Sequence, residues 1–242
     1  MAARFVLVHG AYHGGWCWDR LTPLLLARRA EVIAPDLPGH GSDRTPSADL
    51  TLTLYADHIA EAVRQAGGPV TLVGHSMAGA VIAEVAERVP DRLTRLVYLT
   101  AYMPGPGESI IDWARRDGET RARADKVTFE DTPCLAVDRQ TTWDAFYQDA
   151  PEEDLDWVFP QLRPEPVAIF RQALSLTPEK FGRVPRDYIS CRQDFAITAD
   201  LQDSMLDALP ARRTWDLDCG HSPFVVCPDA LADILMAGEA AG

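Results

Sequence analysis

Val70-Thr71-Leu72-Val73-Gly74-His75-Ser76-Met77-Ala78-Gly79 is the stretch that decides the fold. Its apolar first half predicts a strand over 70–73, its second half a sharp turn, and the alanine- and valine-rich residues 77–89 a buried helix. A serine on a strained strand-to-helix turn needs small neighbours two positions away, because larger side chains there would collide. Gly74 and Ala78 supply them, which makes Ser76 the candidate nucleophile. The pattern is G-x-S-x-A rather than the commoner G-x-S-x-G, and by itself it also fits an ordinary turn between a strand and a helix.

Outward from this turn, residues 5–9, 31–35, 96–100, 187–191 and 213–217 read as further strands, short apolar runs suited to burial on both faces. Helical spacing of leucines and alanines predicts helices over 18–29, 54–66, 199–209 and 229–237. The alternation is that of an α/β protein: a doubly wound, mostly parallel sheet of about six strands with right-handed crossovers. No Gly/Ser-rich or charged linker divides the chain, so residues 1–242 are expected to form a single domain. Between 103 and about 182 the rhythm breaks. Prolines at 104, 106, 133, 151, 160, 164, 166 and 178 cut this segment into short pieces. Helices are expected at 110–116, 152–159 and 167–176, with an extended piece at 129–137. A long insertion without sheet periodicity, carrying tryptophans at 113, 143 and 157, predicts a cap over the site.

A formal net charge of −13 at pH 7 argues against nucleic acid and anionic membrane as partners, since both would be repelled. Cys17, Cys134, Cys191, Cys219 and Cys227 are odd in number and contain no C-x-x-C pair. They read as core residues of a reducing compartment, not as a disulfide frame or zinc site. Met1-Ala2-Ala3-Arg4 leads straight into a strand, and no apolar run approaches membrane length, which predicts a cytoplasmic protein without a signal peptide. The choice between monomer and homodimer stays open.

A serine hydroxyl needs a general base, and that base an orienting carboxylate. Of the six histidines only His221 follows Ser76, in Asp218-Cys219-Gly220-His221-Ser222-Pro223, directly after the last predicted strand. Open α/β sheets place their sites at that carboxyl edge. Asp194 follows the preceding strand at the same edge and is preferred as the acid over Asp200, Asp216 and Asp218. Acyl transfer also needs N–H donors for the oxyanion. The Met77 amide offers one, and the glycine loop after the first strand offers another from Ala11 or Tyr12. Tyr12, His13, Trp113, Phe129, Trp143 and Phe146 are candidate pocket walls, though core packing explains each equally well. His9 and His13 lack a companion carboxylate or cysteine at ligand spacing, so no metal is expected.

Together, residues 5–11, His13-Gly14-Gly15-Trp16, the 36–42 loop, Gly74-His75-Ser76-Met77-Ala78-Gly79, Asp194 and Gly220-His221 resemble the α/β-hydrolase fold. More narrowly they resemble the branch holding plant methylesterases, hydroxynitrile lyases and bacterial esterases. The resemblance implies Ser76 as nucleophile, Asp194 as acid, His221 as base and the Ala11 and Met77 amides as the oxyanion hole, with no cofactor. Two departures count against a lyase: Gly10 stands where the lyases carry threonine, and Ser222 where they carry lysine. Dehalogenases and epoxide hydrolases of this fold need an aspartate at position 76. The expected activity is hydrolysis of a small hydrophobic or aromatic carboxylic ester through an acyl-serine. The rival readings are a thioesterase, lactonase, lyase or cofactor-free oxygenase on the same residues, or a small-ligand receptor.

Overall fold

Runs rich in valine, leucine and isoleucine build the main sheet, because branched side chains pack well on a pleated surface covered on both faces. The computed structural model describes residues 2–240. In chain order its strands are β1 (Arg4–Val8), β2 (Glu31–Ile33), β3 (Val70–His75), β4 (Leu93–Leu99), β5 (Asp125–Phe129), β6 (Thr132–Ala136), β7 (Glu165–Pro166), β8 (Arg186–Cys191) and β9 (Arg213–Leu217). Six of them form one sheet in the order β2-β1-β3-β4-β8-β9, and every neighbouring pair is parallel. The α/β fold class and the six predicted strands therefore stand, with ends shifted by up to three residues.

Parallel neighbours require crossovers, and the α-helices lie in them, except the last two, which follow β9. The helices are α1 (Thr22–Ala27), α2 (Leu52–Gln65), α3 (Ala78–Arg88), α4 (Ile110–Ala114), α5 (Arg139–Thr142), α6 (Glu152–Val158), α7 (Val167–Arg171), α8 (Ala199–Ala208), α9 (Pro223–Val226) and α10 (Pro228–Ala240). Thr51 and Thr198 cap α2 and α8 by accepting from the amides of Leu54 and Leu201. Helix α3 is buried from Ala78 through Ala86, and Val81, Ile82 and Val85 have no exposed surface. Each such side chain contributes roughly 1.5–3 kcal/mol of transfer free energy. From β1 the chain moves outward to β2 on one side and returns to β3 on the other, so the carboxyl ends of β1 and β3 flank a topological switch point, where open sheets hold their ligands.

The segment between β4 and β8 adds no strand to this sheet. Its own strands form a small antiparallel sheet in the order β5-β6-β7. Here several expectations need correction. The extended piece at 129–137 is the second half of a hairpin, turned at Glu130 and Asp131, whose φ values are 47° and 58°. Two consecutive left-handed residues suit the twist of a two-residue hairpin, yet neither is the glycine or asparagine that announces one. The helix expected over 167–176 ends at Arg171, because Gln172 turns extended. The helix expected over 18–29 is a short 3-10 turn, Gly15–Trp18, followed by α1, whose start is set by Pro23. A π-helical turn at Trp143–Tyr147 has no counterpart in the sequence reading.

Candidate active site

Ser76 sits between β3 and α3 with φ at 56°, a left-handed conformation that costs a non-glycine residue about 1–3 kcal/mol. Backbone hydrogen bonds hold it there. The Ser76 amide donates to Leu99 O at 3.3 Å, and the Ser76 carbonyl accepts from Gly79 at 3.2 Å and Tyr102 at 3.1 Å. A Cβ on Gly74 would lie 2.7 Å from Ala78 O, and one on Gly79 would fall on the Tyr102 carbonyl. The small side chain of Ala78 is fully buried. The sequence reading gives no reason for Gly79; the close approach of the Tyr102 backbone does.

Strands β8 and β9 are neighbours, so the loops at their carboxyl ends face each other. His221 Nδ1 lies 2.7 Å from Asp194 Oδ2, and both residues are buried. Asp194 Oδ1 accepts from the amides of Ala196 at 2.6 Å and Ile197 at 2.9 Å, and Oδ2 also accepts from Thr100 Oγ1. With four donors the Asp194 carboxylate is fully employed, and it meets the imidazole at Nδ1, which leaves Nε2 without a partner among the described residues. The rival acids go elsewhere. Asp218 accepts from Gln193 Nε2 at 3.0 Å on the surface, Asp216 lies 3.9 Å from Arg192, and Asp200 stands in the first turn of α8.

Three further histidines brace this arrangement. His75 Nε2–H donates to His221 O at 2.8 Å, fixing the base loop. Burial above all, then the charges of His221 and His13, push the His75 pKa well below its ordinary value. His9 donates from Nδ1 to Gly10 O and accepts at Nε2 from the Leu37 amide, joining the glycine loop to the loop after β2. Burial first, and His40 next, lower its pKa to about 3, so it stays neutral. His13 donates from Nδ1 to Ala11 O at 2.7 Å and accepts at Nε2 from Tyr147 OH at 2.7 Å. Burial lowers it to about 4. Asp36 completes the bracing by accepting from the amides of Gly15 and Ser42.

These contacts set the glycine loop against Ser76. A Cβ on Gly10 would lie 2.9 Å from Ser76 Cβ. Ala11, Ser76 and Met77 border one cavity, and the Met77 amide, at the head of α3, belongs to the helix end whose N–H groups have no intrahelical acceptor.

That cavity encloses about 340 Å3, and its walls are mostly apolar. Of the expected walls, Tyr12 and Phe146 line it. The other four stand elsewhere. His13 is occupied behind the loop, as described. Trp113 donates to Glu108 at 2.8 Å under the Arg116 guanidinium and borders a separate surface hollow. Phe129 lies on β5, with Arg163 5.9 Å from its ring, and Trp143 is half-buried in the π-helical turn. Tyr102, Ile111, Leu135 and Phe170 line the cavity and are missed by the sequence reading. Tyr102 alone carried a signal, two residues past a predicted strand at the carboxyl edge. The other three come from the irregular segment.

Among the described residues, no group of three or more His, Cys, Asp or Glu is placed to hold a metal, and no helix is long and apolar enough to cross a membrane. The family model described as the alpha/beta hydrolase family matches residues 5–234. Methylesterase 2 of Arabidopsis thaliana is 32% identical, the alignment covering 96% of this chain and 94% of the relative. A longer Arabidopsis thaliana relative, named as a chloroplastic methylesterase, is 30% identical, and the chain spans 63% of its length. Among solved structures, an Arabidopsis methylesterase superposes with a TM-score of 0.87 at 27% identity, covering 100% of both chains. A pyrethroid hydrolase gives the same score and identity over 100% of both chains. With plant methylesterases among its relatives, the chain belongs to the alpha/beta hydrolase family.

Proposed function

We propose that this protein is a serine carboxylic-ester hydrolase acting on a small hydrophobic or aromatic ester through an acyl-Ser76 intermediate. The observation that carries this reading is the buried Asp194–His221 contact of 2.7 Å at the sheet edge that also holds the strained Ser76 turn. His221 Nε2 takes the proton of Ser76 as the hydroxyl attacks the ester carbonyl, and Asp194 stabilises the imidazolium that forms. The Ala11 and Met77 amides receive the oxyanion. His221 then returns its proton to the leaving alcohol, and a water deprotonated by the same nitrogen releases the acid.

The lyase alternative meets a steric obstacle. Any side chain at position 10 would press on Ser76 Cβ, so a threonine hydroxyl has no room there, and Ser222 offers no cation to a leaving cyanide. In this reading residues 103–182 act as the cap, the partner is a small-molecule ester substrate, no cofactor takes part, and five free thiols suit a reducing compartment such as the cytoplasm. A panel of aryl and methyl esters, a thioester, a lactone and a cyanohydrin tests the assignment, together with a serine-directed phosphonate. Ester turnover and labelling at Ser76 are expected; activity confined to another class, or no labelling of folded protein, overturns it.

A further inference from the structure

The cavity beside Ser76 carries two phenols that the reaction does not use. Tyr12 follows the oxyanion residue Ala11, and Tyr102 donates its amide to the Ser76 carbonyl, so both are fixed to the reacting centre through backbone. Tyr12 is 7% exposed, holds a φ of 68°, and is further pinned by the Arg163 amide, which donates to its carbonyl at 2.9 Å. Buried tyrosine hydroxyls ordinarily find a hydrogen-bond partner. Among the described residues neither the Tyr12 nor the Tyr102 hydroxyl has one, the two do not bond to each other, and neither is sealed inside the core. Both residues line the cavity, whose other walls include Ile111, Leu135, Phe146 and Phe170. Burial, above all other causes, pushes both phenols up from their ordinary value, so they remain neutral donors.

We propose that the hydroxyls of Tyr12 and Tyr102 form a polar subsite that donates to a neutral oxygen of the substrate other than the scissile ester. The substrate class is an ester bearing a ketone, ether or hydroxyl oxygen on an otherwise hydrocarbon body. An all-hydrocarbon ester fills the same space but leaves two buried donors unmatched, which costs it transition-state binding. The inference rests on the ester-hydrolase reading and narrows its substrate.

The test compares methyl levulinate with methyl valerate, which differ by one keto oxygen, each rate normalised to alkaline hydrolysis. Methyl hydrogen succinate, with a carboxylate in place of the ketone, is the third substrate, because the exposed Arg123 also borders the cavity. The unsubstituted enzyme is expected to favour levulinate over valerate by about tenfold or more in kcat/KM. Tyr12→Phe and Tyr102→Phe, each checked for an unchanged melting midpoint, should lower that ratio several-fold, and the double variant should bring it to one or below. A ratio near one in the unsubstituted enzyme, or a ratio untouched by either substitution, overturns the subsite while leaving ester hydrolysis standing. Succinate turned over as fast as levulinate overturns the preference for a neutral acceptor. Hydrolysis of none of the three esters overturns the esterase reading and the subsite with it.

Discussion

The main sheet and the segment between β4 and β8 share one apolar core but differ in how far polar contacts add to it. In the sheet, β3 is buried along its whole length, and α3 covers it with apolar side chains. The inserted segment buries Phe146, Tyr147, Val158 and Ile169 in the same core and is tied down as well by polar contacts between residues far apart in the chain. Glu165 of β7, fully buried, accepts from Tyr55 OH at 2.8 Å and lies 3.0 Å from His40 Nε2. Asp154 of α6 meets the Arg20 guanidinium, Asp149 accepts from the Gly220 amide at 2.5 Å, and Glu130 accepts from the Ser47 amide at 2.9 Å. Apolar burial is spread over many residues and tolerates individual change. A buried ion pair concentrates its effect in two groups, and removing one leaves the other uncompensated.

Each region should therefore fail in its own way. The largest effects belong to the sheet edge and appear in activity. Ser76→Ala and His221→Ala should each lower ester kcat/KM on the order of 10³-fold or more. The melting midpoint should hold or rise, since Ser76→Ala removes no packing. Asp194→Asn should cost on the order of 10²-fold or more, whereas Asp218→Asn, at the surface, should stay within about twofold on the same rate assay. A larger loss from Asp218→Asn would reassign the acid.

In the inserted segment the effects should appear as stability. Glu165→Ala strands His40 and Tyr55 in the interior and should cost about 3–5 kcal/mol in chemical denaturation. An unchanged denaturation curve would erase the contrast between the two regions. The pair also predicts a pH dependence. Burial is the largest single influence and works against the His40 imidazolium, but the charge and hydrogen bonding of Glu165 together with the Pro38 carbonyl outweigh it and raise the His40 pKa above its ordinary 6.5. A raised folded value means that the contribution is complete below pH 6.5 and fades as pH climbs through the higher folded value. Denaturation midpoints should therefore fall from mildly acidic to alkaline pH, and His40→Asn should flatten that slope. The smallest effect is expected of Glu130→Ala, whose exposed tether to Ser47 should move the melting midpoint by no more than about a degree or two.

The same contrast explains what was legible in advance. Residues 70–79 revealed a strand, a turn and a helix because burial on both faces imposes a continuous apolar run, and a sharp turn imposes small residues. A mostly parallel sheet followed from the alternation of elements, with Asp194 and His221 at the carboxyl ends of its last two strands. Trp113, Phe129 and Trp143 were expected in the cavity because large aromatics in an irregular segment suit a pocket, but they suit packing equally well. Their contacts with Glu108, Arg116 and Arg163 depend on where other segments fall.

By itself the sequence determined the α/β order, the serine turn, and the base and candidate acids at matching strand ends, since each is a local demand of backbone geometry or burial. Only the tertiary structure decided which carboxylate meets His221, why Gly10 and Gly79 admit no side chain, and which residues wall the cavity. Those outcomes arise where Tyr102, the glycine loop and the inserted segment come within a few ångströms of one another. Contacts between residues tens to more than a hundred positions apart leave no periodic mark on the chain that makes them.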